Sequence, residues 1–271
     1  MNQLDKLNNC GVMGAILGDI AGSRFEWHNR KSKEFTIFHR KSKFTDDSVQ
    51  TLAIMDIINK GHQEDPKMIA KLLQKWCKSF PNCGYGPNFK KWMYLDEPKP
   101  YNSFGNGAAA RISPVGWYAQ SIEEVNKLSD LITGVTHNHP EGMKAARVVA
   151  TCIFMAKNGS SKEEIKKFIE SNYDINFNYQ ELVDKYDFDI SCQGSVPQAL
   201  YCFVISESFE DALRTAVSIG GDTDTIAAIT TSIASAFYDD GKELLEQTFE
   251  QIEELGDIAK EFVMTCKKRL D

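Results

Sequence analysis

Two acidic clusters in the chain consist of the residue types that bind divalent cations. The first is Thr45-Asp46-Asp47, and the second is Asp222-Thr223-Asp224-Thr225. Each cluster lies where a helix is predicted to begin, so its oxygens could simply cap the free amides of a first helical turn. Together, the carboxylates and hydroxyls could instead converge into a site for Mg²⁺, Mn²⁺ or Ca²⁺, which bind hard oxygen ligands. Without cations, such convergence would be strongly self-repelling.

The second cluster has another chemical interpretation. Asp222-Thr223-Asp224 resembles the nucleophile motif of aspartyl-phosphate phosphatases, in which Asp222 would attack phosphorus. That motif normally sits at the end of the first strand of a parallel α/β domain, whereas here a helical pattern precedes it. The phosphatase interpretation therefore predicts a parallel sheet that the sequence pattern does not indicate.

Three further segments contain polar groups that could contact a ligand. Gly105-Asn106-Gly107 begins a loose dinucleotide-binding fingerprint, but no strand is predicted before it, so a Rossmann unit is not indicated. A helix that starts at these glycines could still offer backbone amides to a phosphate. His137, just before a helix that starts with Pro140, could form a hydrogen bond to a ligand. Glu26, considered alone, would be assigned to the surface.

The segments that contain or adjoin these residues are predicted to be helices. The clearest apolar stripe is Ile226, Ile229, Ile233 and Phe237, which lie on one face of a helix that begins near Asp222. The other predicted helices cover residues 11–22, 48–59, 66–80, 106–118, 122–132, 140–157, 162–171, 196–206 and 209–219, with two more after Lys242. Gly14, Gly18 and Gly22 recur every four residues, which predicts a helix face that another backbone can approach closely.

Little else interrupts the helical pattern. The best strand candidate is residues 34–38, and the longest irregular stretch, 82–104, is typical of an ordered lid or binding loop. No linker-like composition divides the chain, so we expect one all-α domain over residues 1–271.

Composition narrows the functional classes. The 271 residues are 42% hydrophobic and 25% charged, as in ordinary globular proteins. The net charge of −7 argues against a dominant nucleic-acid surface, and no segment is long and apolar enough to span a membrane. Seven cysteines without a CxxC pair fit neither a complete disulfide framework nor a thiolate zinc site. We therefore expect a cytoplasmic protein that binds neither nucleic acid nor membranes, and we expect a monomer.

Taken in chain order, the motifs are similar to those of a known family. They are Gly18-Asp19-x-x-Gly22-x-x-x-Glu26, Thr45-Asp46-Asp47, Gly105-Asn106-Gly107-Ala-Ala-Ala-Arg111, Thr136-His137 and Gly220-Gly221-Asp222-Thr223-Asp224-Thr225. As a set, they resemble the ADP-ribosylglycohydrolase family over residues 11 to about 238. The resemblance implies a compact, orthogonal multi-helix fold with a cleft that holds two Mg²⁺ or Mn²⁺ ions. Ala110 departs from the family pattern, in which many members have Met before the Arg.

The resemblance also implies a role for each matching residue. The implied metal ligands are Thr45, Asp46, Asp47, Asp222, Asp224 and Thr225. Glu26 and Asp47 are the implied catalytic residues, where Glu26 corresponds to a glutamate that either activates the water or gates a metal and protonates the leaving group. The implied ADP-ribose contacts are Gly105, Asn106, Gly107 and His137.

The implied reaction is metal-dependent hydrolysis of the glycosidic bond between ADP-ribose and an acceptor. The expected acceptor is a protein side chain, arginine before serine, or a small molecule. A catalytically silent member that binds ADP-ribose or serves as a structural protein remains an alternative.

Overall fold

A computed structural model describes residues 12–254, and this part of the chain is built from helices. The helices are α1 (Val12–Ser23), α2 (Asp46–Asn59), α3 (Pro66–Ser79), α4 (Pro87–Met93), α5 (Gly107–Ala110), α6 (Ser113–Tyr118), α7 (Ile122–Gly134), α8 (Pro140–Lys157), α9 (Lys162–Glu170), α10 (Tyr179–Lys185), α11 (Cys192–Ile205), α12 (Phe209–Ser218), α13 (Thr223–Phe237) and α14 (Lys242–Glu254). Within these residues the only β-type pairing is an isolated bridge between Gly105 and Ser191. The all-α prediction is confirmed, while the assignment of residues 1–271 to one domain stays a prediction.

Helices α1 and α13 form the centre of the fold and pack closely on each other. Every residue of α1 is buried. A Cβ added at Gly14 would lie 2.6 Å from the backbone oxygen of Thr231, and the Thr231 hydroxyl donates to the Gly14 carbonyl at 2.6 Å. The Thr223 hydroxyl likewise donates to the Gly22 carbonyl at 2.9 Å. The predicted close approach is therefore confirmed, and it brings the start of α13 beside the end of α1.

The apolar stripe of α13 packs into the core as predicted. Ile226, Ile229 and Ile233 are fully buried, and the Phe237 ring meets the Phe203 ring edge-on with 5.5 Å between centroids. Helices α1, α8, α11 and α12 surround α13, while α2 packs between α1 and α3. Burial of this apolar surface is the main favourable term in folding, so the position of α13 is strongly determined.

Several helix boundaries differ from those predicted. The predicted helix 106–118 is divided into α5 and α6, with Pro114 in the first turn of α6. Helix α11 begins four residues early, because Ser191 caps it by accepting a hydrogen bond from the Gly194 amide at 3.0 Å. Two short helices, α4 and α10, were not predicted, and α4 lies inside the predicted loop 82–104. Of the two helices predicted after Lys242, α14 is present and the other falls outside the described residues.

The predicted strand at residues 34–38 is wrong. The segment consists of bends, and side chains occupy the backbone oxygens that a neighbouring strand would use. Arg214 donates to the Phe35 carbonyl at 2.9 Å, and Arg24 donates to the Thr36 carbonyl at 2.8 Å. The local alternation of apolar residues therefore reflects packing of the loop, not pairing in a sheet.

The structure of residues 12–254 bears on two of the expectations from composition, which concern membrane-spanning segments and disulfide bonds. No helix in this range has both the length and the apolar composition needed to cross a bilayer. The cysteines within it, at positions 77, 83, 152, 192 and 202, are free thiols. Cys10 and Cys266 lie outside the described residues.

Candidate functional site

A cleft of about 370 Å³ is bordered by the N-terminal ends of α2, α4, α5 and α13. Both acidic clusters line it. All of the predicted site residues border this cleft, namely Glu26, Thr45, Asp46, Asp47, Gly105, Asn106, Gly107, His137, Asp222, Asp224 and Thr225. Cys83, Gly84, residues 86–89, Tyr101 and Ser103 contribute to the wall as well, which agrees with the prediction that the segment 82–104 is a binding loop. The structure therefore brings together residues that are dispersed along almost the whole described chain.

The first acidic cluster is held in place by Asp19 of α1. Asp19 is fully buried, and its carboxylate accepts hydrogen bonds from the Thr45 amide at 2.8 Å and the Thr45 hydroxyl at 2.7 Å. It also accepts bonds from the amide and hydroxyl of Ser48. Thr45 in turn caps α2 by accepting from the Asp47 amide at 3.3 Å. Capping and cation binding are therefore compatible at this cluster, because the Asp46 and Asp47 carboxylates are not the capping groups.

The second cluster follows a corner made by Gly220 and Gly221, each with a φ of +75°. Residues with side chains rarely adopt this conformation, and a Cβ at Gly221 would collide with the Tyr186 ring. The Asn29 side chain holds this corner through two hydrogen bonds. It accepts from the Gly221 amide at 2.8 Å and donates to the Gly221 carbonyl at 3.1 Å. Lys31 donates to the Ile219 carbonyl at 2.6 Å. These contacts fix the direction in which Asp222 leaves the corner.

Asp222 occupies the N-cap position of α13 but makes no side-chain capping bond. Its carboxylate instead accepts from the Asn106 side-chain amide at 2.6 Å. Asn106 was predicted as an ADP-ribose contact, and its side chain thus has a role that the sequence did not indicate. The capping interpretation does not account for Asp222, so this carboxylate remains available to the cleft.

The two clusters meet directly. The Thr225 hydroxyl donates to the Asp47 carboxylate at 2.6 Å. On the same side of the cleft, one carboxylate oxygen from each of Glu26, Asp222 and Asp224 lies within 4.8 Å of the other two. Three carboxylate oxygens this close together are candidates to share a divalent cation.

The carboxylates of the cluster are buried close together, and too little positive charge lies nearby to offset their mutual repulsion. Burial and the nearby Asp19 and Asp222 raise the pKa of Asp46 to about 8. Burial and Asp222 raise the pKa of Glu26 to about 7, partly opposed by Lys43. Burial, followed by neighbouring carboxylates, also raises the pKa of Asp47 and of Asp224 well above the ordinary value for aspartate.

Ion pairs do not relieve this repulsion. Among the residues that the structure describes, no lysine or arginine lies within 4.0 Å of a carboxylate oxygen of the cluster. A set of hard oxygen donors that are largely buried, mutually repelling and not engaged in close ion pairs fits divalent cations such as Mg²⁺ or Mn²⁺.

The opposite wall of the cleft is organised by Arg111, which is fully buried. Its guanidinium donates to the Gln50 side-chain oxygen at 2.8 Å and to the Thr136 hydroxyl at 2.7 Å. The Gln50 side-chain amide donates to the Asp46 carboxylate at 2.7 Å. The Thr136 hydroxyl lies 2.7 Å from Nδ1 of His137. Burial and the Arg111 charge lower the pKa of His137 well below its ordinary value, so the ring is neutral.

Several residues that position the site lie outside the set predicted from the sequence motifs. Asp19 had a signal, because a carboxylate within an apolar helix must have polar partners. For Arg111 the signal is similar, because it is a charged residue next to a run of alanines. Asn29 and Gln50 had no such signal, since Gly221 and Arg111, to which they are bonded, are distant in the chain.

Comparison with known proteins gives a consistent result. The sequence model of the ADP-ribosylglycohydrolase family matches residues 8–269. Human ADP-ribosylhydrolase ARH3 is 26% identical over an alignment that covers 95% of this chain and 92% of that protein. The ADP-ribosylarginine hydrolase Tri1 of Serratia proteamaculans is 23% identical and is covered to 72%, with 87% of this chain aligned.

A solved structure has the same fold. It is described as an ADP-ribosylglycohydrolase-related protein complex and superimposes with a TM-score of 0.66 at 20% identity. The superposition covers 91% of this chain and 96% of the other.

Proposed function

The chain belongs to the ADP-ribosylglycohydrolase family, and we propose that it hydrolyses the glycosidic bond between ADP-ribose and a protein side chain with the help of two Mg²⁺ or Mn²⁺ ions. The observation that carries this proposal is the meeting of the two acidic clusters in one cleft, joined by the bond between Thr225 and Asp47. The cleft therefore has a strongly anionic side that suits cations, and a neutral side around His137 that suits a sugar nucleotide.

The proposed metal ligands are the oxygen atoms of Thr45, Asp46, Asp47, Asp222, Asp224 and Thr225. Divalent ions held by these residues would supply Lewis-acid stabilisation of the ribose hydroxyls and activation of water. The ligands are supported by further side chains, since Asp19 orients Thr45 and Asn106 orients Asp222. Such supporting contacts fix ligand geometry and tune metal affinity.

Glu26 is the proposed proton acceptor. Hydrolysis forms a bond between a water oxygen and the anomeric carbon while the bond to the acceptor nitrogen or oxygen breaks, through an oxocarbenium-like state, and the departing acceptor takes up the proton that the water loses. Glu26 lies half-buried at the cleft beside Asp222 and Asp224, where its carboxylate can take a proton from the attacking water. A carboxyl with a pKa near 7 is well suited to exchanging protons at neutral pH. Asp47 contributes to catalysis through the cations that it helps to hold.

ADP-ribose itself is proposed to lie against Gly105, Asn106, Gly107 and His137. The turn that leads into α5 borders the cleft, and its glycines let an oxygen approach the backbone closely. Residues 86–89 and Tyr101 border the same space and would contact the substrate as well.

We propose arginine as the acceptor ahead of serine. The support is that one relative, Tri1, is named an ADP-ribosylarginine hydrolase, and its alignment covers 87% of this chain. The cytoplasmic location and the monomeric state predicted from the sequence stay predictions.

The phosphatase alternative loses its structural premise in the described part of the chain. Residues 12–254 form no parallel sheet, and Asp222 follows a helix and a glycine corner. A silent ADP-ribose-binding protein would use the same cleft, but it would not need Glu26 beside the acidic clusters. Turnover separates that alternative from the proposed enzyme.

The proposal is tested by incubating the protein and Mg²⁺ with peptides ADP-ribosylated on arginine or on serine, and measuring free ADP-ribose. We expect release from the arginine conjugate, loss of release with EDTA, and loss of release in Asp222→Asn. Release from the serine conjugate alone would overturn the acceptor assignment. Release from neither peptide, nor from a small ADP-ribosylated conjugate, would overturn the proposed activity.

A further inference from the structure

The protonation pattern of the His137 ring follows from its neighbours, beginning with Arg111. The guanidinium of Arg111 donates to the Thr136 hydroxyl oxygen at 2.7 Å. Arginine has only donors, so the Thr136 oxygen must be the acceptor of this bond. The hydroxyl hydrogen of Thr136 then points elsewhere and has to find its own acceptor.

Two acceptors lie near that hydrogen. Nδ1 of His137 is 2.7 Å from the Thr136 oxygen, whereas the Thr133 carbonyl is 3.5 Å away. Hydroxyl hydrogen bonds are normally shorter than 3.0 Å, so the hydrogen is donated to Nδ1. Nδ1 therefore carries a lone pair, and the single proton of the neutral ring is on Nε2.

Nε2 faces the cleft. His137 lines the cleft, and a Cβ added at Gly105 would lie 3.5 Å from Nε2, which places this atom against the glycine turn before α5. Among the hydrogen bonds of residues 12–254, the ring of His137 is joined through Nδ1 alone. The Nε2 proton is therefore free to be donated to a ligand.

We propose that Arg111 and Thr136 are positioning residues that hold His137 in the Nε2–H form, so that it donates a neutral hydrogen bond to an oxygen of the bound ADP-ribose. The identity of the ligand rests on the proposed function, whereas the form of the ring does not. With the proton on Nδ1, the ring would present a lone pair to the cleft and repel a phosphate oxygen. Burial beside Arg111 disfavours the doubly protonated ring, so the hydroxyl of Thr136 decides between the two neutral forms.

The same guanidinium acts on the other wall of the cleft. Arg111 donates to the Gln50 oxygen, which directs the Gln50 amide to Asp46. One buried cation thus orients a proposed metal ligand and a proposed substrate contact. Replacing Arg111 would disturb both walls, and Thr136 is therefore the cleaner position to change.

The test compares Thr136→Val with Thr136→Ser and with Thr133→Val. Valine keeps the shape of threonine but removes the hydroxyl, while serine restores it. Thr133 is the matched control, because it is also fully buried in the same segment and its hydroxyl has no hydrogen-bond partner. Thermal unfolding of each variant shows whether it folds.

The first readout is the ¹⁵N NMR spectrum of the histidine rings, with His137 identified by its disappearance in His137→Gln. We expect the wild type, Thr136→Ser and Thr133→Val to carry the proton on Nε2, and Thr136→Val to populate both neutral forms. A proton on Nδ1 in the wild type, or an unchanged spectrum in Thr136→Val, would overturn the proposal.

The second readout is calorimetric titration with ADP-ribose in the presence of Mg²⁺. Losing one well-oriented hydrogen bond should weaken binding by about fivefold to tenfold in Thr136→Val and leave the two other variants near the wild type. Equal affinities for all variants would overturn the role of the ring in binding. Failure of the wild type to bind ADP-ribose, with the ring in the Nε2–H form, would contradict the proposed function and the assigned ligand, but not the positioning of the ring.

Discussion

The Thr225 hydroxyl donates to the Asp47 carboxylate at 2.6 Å, across a separation of 178 residues. This bond joins the first turn of α13 to the first turn of α2. It exists because α1 packs on both helices and because the glycines of α1 let α13 approach closely. The proposed metal centre is therefore a consequence of how three buried helices pack.

Removing one proposed ligand should stabilise the metal-free protein while it abolishes function. In Asp224→Asn, a buried carboxylate that neighbouring Asp222 and Asp47 repel becomes neutral without a change in size. We expect the free energy of unfolding in EDTA to rise, since the folded state no longer holds a buried carboxylate among like charges. Thermal unfolding in EDTA measures this change, and turnover with Mg²⁺ should fall at least a hundredfold.

The control for that variant is Asp174→Asn, which changes an exposed carboxylate outside the cleft. It should alter neither stability nor turnover. A less stable Asp224→Asn protein in EDTA would mean that the cluster is not under electrostatic strain.

The stability of the metal-free protein should fall as the pH rises. The pKa of Glu26 is raised from 4.5 to about 7, and that of Asp46 from 3.8 to about 8. Between these limits the folded state binds more protons than the unfolded state, so deprotonation favours unfolding. We expect the midpoint of thermal unfolding in EDTA to decrease from about pH 4 to pH 8.

Added Mg²⁺ should reverse this trend. Cations and protons compete for the same oxygens, so the stabilisation by Mg²⁺ should be small at pH 5 and largest near pH 8. The two unfolding series, with EDTA and with Mg²⁺, can be measured by scanning fluorimetry. A midpoint in EDTA that rises over this pH range would contradict the proposed electrostatics.

The variant Glu26→Gln should separate catalysis from binding. The amide keeps the size of the carboxyl but cannot accept a proton, so we expect kcat to fall by about 10² to 10⁴. ADP-ribose should still bind with an affinity within a few-fold of the wild type. Steady-state kinetics and calorimetry distinguish the two effects, and a variant that retains more than a tenth of wild-type kcat would exclude Glu26 as the proton acceptor.

Asn29 is expected to influence metal affinity although it is not a proposed ligand. Its side chain makes two hydrogen bonds to Gly221, next to Asp222. Asn29→Ala should weaken Mn²⁺ binding by about tenfold, as supporting contacts of metal ligands usually do. Asn158→Ala, which removes an exposed amide bonded to the Phe154 carbonyl, is the control. Equal Mn²⁺ affinities in the two variants would show that the glycine corner holds its conformation without Asn29.

Much of the fold was predictable because the helices carry their signals locally. Pro140–Lys157 was predicted at both ends, since a proline starts that helix and an asparagine follows it. The helix α10 was missed because it is short and has only Leu182 in the core. The strand at residues 34–38 was predicted wrongly because Arg24 and Arg214, which satisfy its carbonyls, are not visible from the local pattern.

The candidate site was predictable in its members but not in its internal connections. Every predicted site residue borders the cleft, since the motifs are contiguous short segments whose ends mark helix starts. The bonds of Asn106 to Asp222 and of Arg111 to Thr136 depend on the packing of separate helices. Local patterns in a single sequence do not show which distant residues pair, so these bonds could not be predicted before the fold was known.

A crystal structure of the protein with Mn²⁺, in which anomalous scattering locates the ions, tests whether the two acidic clusters together form a metal centre. We expect two Mn²⁺ ions between the Thr45-Asp46-Asp47 segment and the segment from Asp222 to Thr225, with carboxylate oxygens from both segments as ligands. Ions bound elsewhere, or a cleft without ions at saturating Mn²⁺, would show that the two acidic clusters do not form a metal centre.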